Sequence, residues 1–196
     1  MITKMEKDKI IIGSASKELS IALKKQLDIS LFSIIYESSS GNEILRMTAA
    51  LEPDIIITDY ILADNTTGLD IAESVEVSHI CPVIVLANEH QIAYSGEMKN
   101  NGSDIFLVPK PLNSAFLNKT ASLAIKLSRT IKSSENVIND LKQKLENRKI
   151  LEKAKGLLME KFKMSENEAY SQLRKKSMDL AKPIEEVAKS IINTLY

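Results

Sequence analysis

Two groups of side chains in this 196-residue chain have types and spacings that could do chemistry. The first is Asp59, at the end of the apolar run DIIITD, together with Lys110, which follows the run DIFLV and precedes Pro111. A carboxylate at a strand end can act as a nucleophile or help to hold a cation, and a nearby lysine can supply the opposing charge. The second group is cationic: Arg148, Lys149 and Lys155 in RKILEKAKGLLM, followed by Arg174, Lys175, Lys176 and Lys182. Cations along helix-length segments suit a polyanion, because neutralising phosphates supplies much of the affinity for nucleic acid. Solvated helix faces are the plain alternative for such charges.

Composition narrows the choice. Net charge is zero, yet residues 1–140 carry 13 Lys+Arg against 18 Asp+Glu and residues 141–196 carry 13 against 8, which is −5 followed by +5. A polyanionic partner would therefore meet the C-terminal part. Cys81 is the single cysteine, so no intrachain disulfide forms, and it reads as a small core residue. His79 and His90 lie near loop positions without ligands at metal-binding spacing. No nucleophile–base pair is evident, so the reading is non-enzymatic. The start, MITKMEKDK, is polar and no apolar run approaches the ~18 residues that span a membrane. The expected location is cytoplasmic.

Five apolar runs, at 10–13, 33–36, 54–59, 82–87 and 104–108, alternate with helical patterns at 17–28, 41–51, 68–77, 91–100 and from about 113. Continuous apolarity is the mark of parallel strands covered on both faces. The predicted fold is α/β plus all-α: an N-terminal (βα)5 doubly wound domain, a long coiled-coil helix and a C-terminal three-helix bundle. The functional crevice of such a sheet lies at the carboxyl ends of its strands, where Gly13, Ser14, Asp59, Ala87 and Lys110 fall.

An Asp leaving the third strand and a Lys-Pro pair after the fifth resemble the receiver domain of bacterial two-component response regulators. The resemblance implies an acidic pair after strand one that binds Mg²⁺ with the Asp, a phosphoacceptor at Asp59, a sensing hydroxyl after strand four and a switch lysine at Lys110. This chain has Ser14 and Ala15 in place of the acidic pair and Ala87 in place of the hydroxyl. Gly68 follows Asp59 by nine residues and Lys110 follows Gly102 by eight, each one more than the usual receiver spacing. A single carboxylate binds Mg²⁺ weakly, so no cofactor is assigned and the domain reads as a degenerate receiver. Asp64, in the next loop, is an outside candidate for a replacement ligand. A histidine kinase or a regulatory protein would meet this domain.

Beyond Leu112 a helical pattern runs without Gly or Pro to Gly156. Leu117, Thr120, Ala124, Leu127, Ile131, Ser134, Ile138, Leu141 and Leu145 advance in threes and fours, predicting a heptad seam that pairs two copies of the chain. A helix folded back on its own receiver is the alternative, and TIKSSEN at 130–136 is either a bend or a weaker stretch of coil. The expected divisions are a receiver-like domain over 1–114, a linker over 115–145 and a helical output domain over 146–196. In that last part Ser165 and Glu168 form a capping box, with Met164 stapling against Ala169, and Pro183 opens the final helix.

Arg148, Ile150, Ala154-Lys155-Gly156, Leu158-Met159, Ser165, Glu168-Ala169-Tyr170, Leu173-Arg174, Met178, Val187-Ala188 and Ile191 together resemble the ANTAR output domain of transcription antitermination regulators. The resemblance implies a homodimer that binds paired RNA stem-loops of nascent transcripts and prevents a terminator from forming. Arg148, Lys155 and Arg174 are the expected principal contacts, with Lys149, Lys175, Lys176 and Lys182 in support. Tyr170 could stack on a base, but its spacing favours the bundle core, as for Ala154 and Met159. Gly156 in mid-helix costs about 1 kcal/mol relative to Ala, which points to close approach by another helix or by RNA. A DNA-binding or protein-binding response regulator, controlled by phosphorylation at Asp59, is the competing reading.

Overall fold

The computed structural model describes residues 7–77, 81–98 and 105–195. His79 and Gly102, the first position of the run expected at 104–108 and the last two of the helix expected over 91–100 lie outside them. Five strands, β1 (Asp8–Gly13), β2 (Phe32–Ser38), β3 (Ile55–Asp59), β4 (Val83–Ala87) and β5 (Phe106–Pro109), alternate with helices α1 (Lys17–Gln26), α2 (Gly41–Leu51), α3 (Gly68–Val77) and α4 (Glu89–Met98). The strands form one parallel sheet in the order β2-β1-β3-β4-β5. That is a doubly wound order, in which successive residues of one strand enter different cores. Ile10, Ile12, Ile55, Ile57, Ile84 and Leu86 pack with Leu23 of α1 on one face. Ile11, Ile56, Val83 and Val85 pack with Ile44 of α2 and Ile71 and Val75 of α3 on the other. Cys81 is half-buried beside this second core. His90, expected near a loop, is the second residue of α4 and exposed.

Helix α5 (Ser114–Phe162) is one unbroken helix of 49 residues, so TIKSSEN introduces no helix break. Its first turns belong to the N-terminal domain: Leu117, Ala121, Ala124 and Ile125 are buried in the first core. Arg129 then donates to Asp8 and to Asp54, each at 2.7 Å, and the first compact unit ends at Ile131. Much of the expected seam's start is thus folded onto the chain's own N-terminal sheet. From Leu127 the apolar positions change character: Leu127, Ile131, Ile138, Leu141 and Leu145 are all exposed.

The second compact unit, Lys132–Tyr196, combines the end of α5 with α6 (Glu166–Leu180) and α7 (Ile184–Leu195). Ser165 caps α6, accepting from the Glu168 amide while the Glu168 carboxylate accepts from the Ser165 amide, so the capping box forms as expected. Ala154, Leu158, Ala169, Leu173, Val187, Ala188 and Ile191 make the core, with Met164 packed against it. Two residues assigned to that core from the sequence lie outside it: Tyr170 is 44% and Met159 38% exposed. Ala169 and Leu173 already fill the inward side of α6, and Tyr170 falls about a quarter-turn past it. Pro183 sits just before α7, its carbonyl accepting from Glu186 and Val187.

Candidate functional site

At the carboxyl end of the sheet, Asp59 is the last residue of β3 and Lys110 follows β5. The Lys110 ammonium donates to Asp59 Oδ1 at 2.5 Å, and the same oxygen accepts from the Tyr60 amide at 2.8 Å. Both side chains are partly shielded, Asp59 being 15% and Lys110 31% exposed. Lys110 is held there by its own amide, which donates to the Ala87 carbonyl at the end of β4. A side chain at Gly68 would come within 2.7 Å of the Asp59 carbonyl, so only glycine lets α3 begin against this strand end.

The positions where a receiver's other groups are expected are occupied differently. Ser14 is buried, and its hydroxyl donates to the Ser16 carbonyl at 2.8 Å, supporting the turn in which Ser16 caps α1. Ala87 is fully buried and packs in the second core. Asp64 is not placed as a substitute ligand. Its carboxylate accepts from the Ser40 hydroxyl and from the amides of Gly41, Asn42 and Thr66, closing the start of α2. Those donors, the Ser40 hydroxyl foremost, hold its pKa far below the usual carboxylate range. The strand-end site is therefore a single carboxylate neutralised by a single lysine, and among the described residues no group of three or more His, Cys, Asp or Glu could hold a metal ion. The residues present do not match the ligand set that a Mg²⁺-dependent phosphoacceptor needs.

The cations of the C-terminal unit fall into two classes. Arg148, Lys149, Arg174, Lys175, Lys176 and Lys182 are exposed, with Lys149 paired to Glu146 at 2.7 Å. Lys155 differs from the sequence expectation. It is 8% exposed, and its ammonium lies 2.9 Å from Glu152 and 2.7 Å from Glu166. Glu166, then Glu152, raise its pKa, while Lys155 lowers that of Glu166. Its charge is spent inside the fold. Glu152 stands three residues before it and was readable as a partner, whereas Glu166 reaches it only across the turn between helices. No other helix of the described residues packs on Gly156, where a Cβ would meet nothing within 4 Å. Arg129 escaped sequence reading because its partners are 121 and 75 residues away.

Residues 139–192 match the ANTAR domain family. The chain is 27% identical over 187 residues to the transcriptional regulatory protein PdtaR of Mycobacterium tuberculosis, covering 95% of this chain and 90% of that protein. Its fold is similar to the signal receiver domain of a Luxo repressor protein from Vibrio parahaemolyticus, with TM-score 0.56 and 21% identity over 66% of this chain and 98% of that one. It is likewise similar to the response regulator PhyR from Brucella abortus, with TM-score 0.56 and 17% identity over 66% and 52%.

A receiver-like fold followed by an ANTAR match is the organisation of a regulatory protein. Residues 139–192 thus match an ANTAR domain, and over nearly its whole length the chain is similar to a transcriptional regulatory protein. Among the described residues no helix is long and apolar enough to cross a membrane.

Proposed function

We propose that this protein acts in the cytoplasm as a transcription antitermination regulator, whose ANTAR domain binds paired stem-loops in nascent RNA and keeps a terminator hairpin from forming. The observation that carries the reading is the coincidence of the ANTAR match over 139–192 with an exposed cationic set, Arg148, Arg174, Lys175, Lys176 and Lys182. Lysine and arginine would hold phosphates, and loop bases would supply sequence. Two copies would pair along Ile131, Ile138, Leu141 and Leu145, whose spacing of seven, three and four residues is that of a heptad seam. Two linked weak sites then bind two hairpins with a high effective concentration.

The receiver would govern this pairing without Mg²⁺-dependent phosphorylation, through a regulatory protein or ligand at its surface; a histidine kinase is the competing input. Sequencing RNA that co-purifies with the full chain tests the reading. Recurrent pairs of short hairpins upstream of terminators are expected, and a preference for duplex DNA over hairpin RNA overturns it.

A further inference from the structure

We propose that Tyr170 is a base-stacking residue, which receives one unpaired base of an RNA hairpin loop beside the guanidinium of Arg174. The inference rests on the RNA-binding reading above and names the residue that reads the loop.

Residues four apart on a helix share one strip, so Glu166, Tyr170, Arg174 and Met178 line one side of α6. This strip is outside the bundle core, which α6 enters through fully buried Ala169 and Leu173. Tyr170 and Met178 are 44% and 72% exposed, and Arg174 between them is exposed too. A lone exposed aromatic needs no explanation. Here the aromatic ring has a planar cation one turn away, and Lys175 and Lys176 follow directly.

Glu166, at the start of the strip, shares the Lys155 ammonium with Glu152, so its charge is partly neutralised there, and Arg174 supplies the positive charge one turn beyond Tyr170. Loop bases are the ligand that fits both halves of this surface. An unstacked base offers a π-face to Tyr170, while the adjoining phosphate offers a negative charge to Arg174 on the same strip. A protein partner fits less well, since burying consecutive cations is costly and lysine is depleted in interface cores.

The test uses the full chain and double-hairpin RNAs selected on it from a library randomised in the loops. Base–aromatic stacking of ~1–3 kcal/mol corresponds to a loss of about 5- to 150-fold in affinity for Y170A. Y170L, which keeps apolar bulk without a π-face, should lose a similar amount while melting at the wild-type temperature, and Y170F should bind as wild type. Removing single loop bases from the RNA should reveal one abasic position at which Y170L costs nothing further. The salt slope should stay unchanged for Y170L and fall by about one for R174A. Wild-type binding with equal affinity for Y170L overturns the stacking role alone. Failure to select any RNA overturns the underlying RNA-binding reading with it. A change in oligomeric mass of Y170L without a change in RNA affinity assigns the ring to a protein contact and also overturns the proposal.

Discussion

The ammonium of Lys155 lies 2.7 Å from a carboxylate oxygen of Glu166, so the first turn of α6 is tied to the last part of α5 by an internal ion pair. Removing the charge should act on the fold first. K155M is expected to lower the melting temperature of the C-terminal unit, and K155M with E166Q should lower it by less than the two separately. RNA affinity should keep the wild-type salt slope, whereas R148A and R174A each reduce it by about one. Titrating binding against salt separates the two roles.

The same pair gives a pH dependence. Glu166 has a lowered pKa, so its contribution to stability is complete above the ordinary value of 4.5 and is lost as pH falls through the depressed native value. Lys155 has a raised pKa, so its contribution is complete below 10.5 and is lost as pH rises through the elevated native value. Thermal melts should show K155M differing from wild type between these limits and converging towards it in stronger acid.

At the strand-end site, Asp59 and Lys110 pair at 2.5 Å with Ser14 committed to the α1 cap. Incubation with acetyl phosphate and Mg²⁺ should leave the intact mass unchanged by mass spectrometry. An added phosphoryl group that disappears in D59A would show that this carboxylate reacts without the acidic pair.

Arg129 is held by Asp8 and Asp54 immediately before the boundary between the two compact units. Exposed pairs of this kind contribute ~0.2–1 kcal/mol each. R129Q should therefore destabilise the N-terminal unit by about 1 kcal/mol and speed proteolytic cleavage of α5 near Ile131, as followed by limited trypsinolysis. Added salt should shrink the difference.

The exposed apolar positions of α5 carry the pairing proposal. L141K and I138K should shift the oligomeric state towards monomer in sedimentation, and weaken binding of double-hairpin RNA by about 10²–10⁴-fold through lost effective concentration. Binding of a single hairpin should change little.

The sequence made the sheet legible because its strands are short, uninterrupted apolar runs, and IIIG, DIIITD and PVIVLA became β1, β3 and β4 within two residues. Capping chemistry was equally local, and Ser165 with Glu168 identified the start of α6 from three-residue spacing. The misplaced residues share a different cause. A 3.6-residue period fixes a stripe only to within one position, which put Tyr170 and Met159 on the wrong side of its edge. Lys155 looked like any other cation until tertiary structure brought Glu166 beside it. Asp64 read as an available carboxylate because three of its donors, Ser40, Gly41 and Asn42, lie more than twenty residues earlier, although the Thr66 amide is close by in sequence.

Gly156 lies on α5 with open space where its side chain would be. Alanine there should rigidify the helix and raise stability by ~1 kcal/mol. A variant sturdier than its parent makes an unusually clean reporter, because any activity it loses must come from a visitor that needed the bare backbone, and cannot be blamed on damaged architecture.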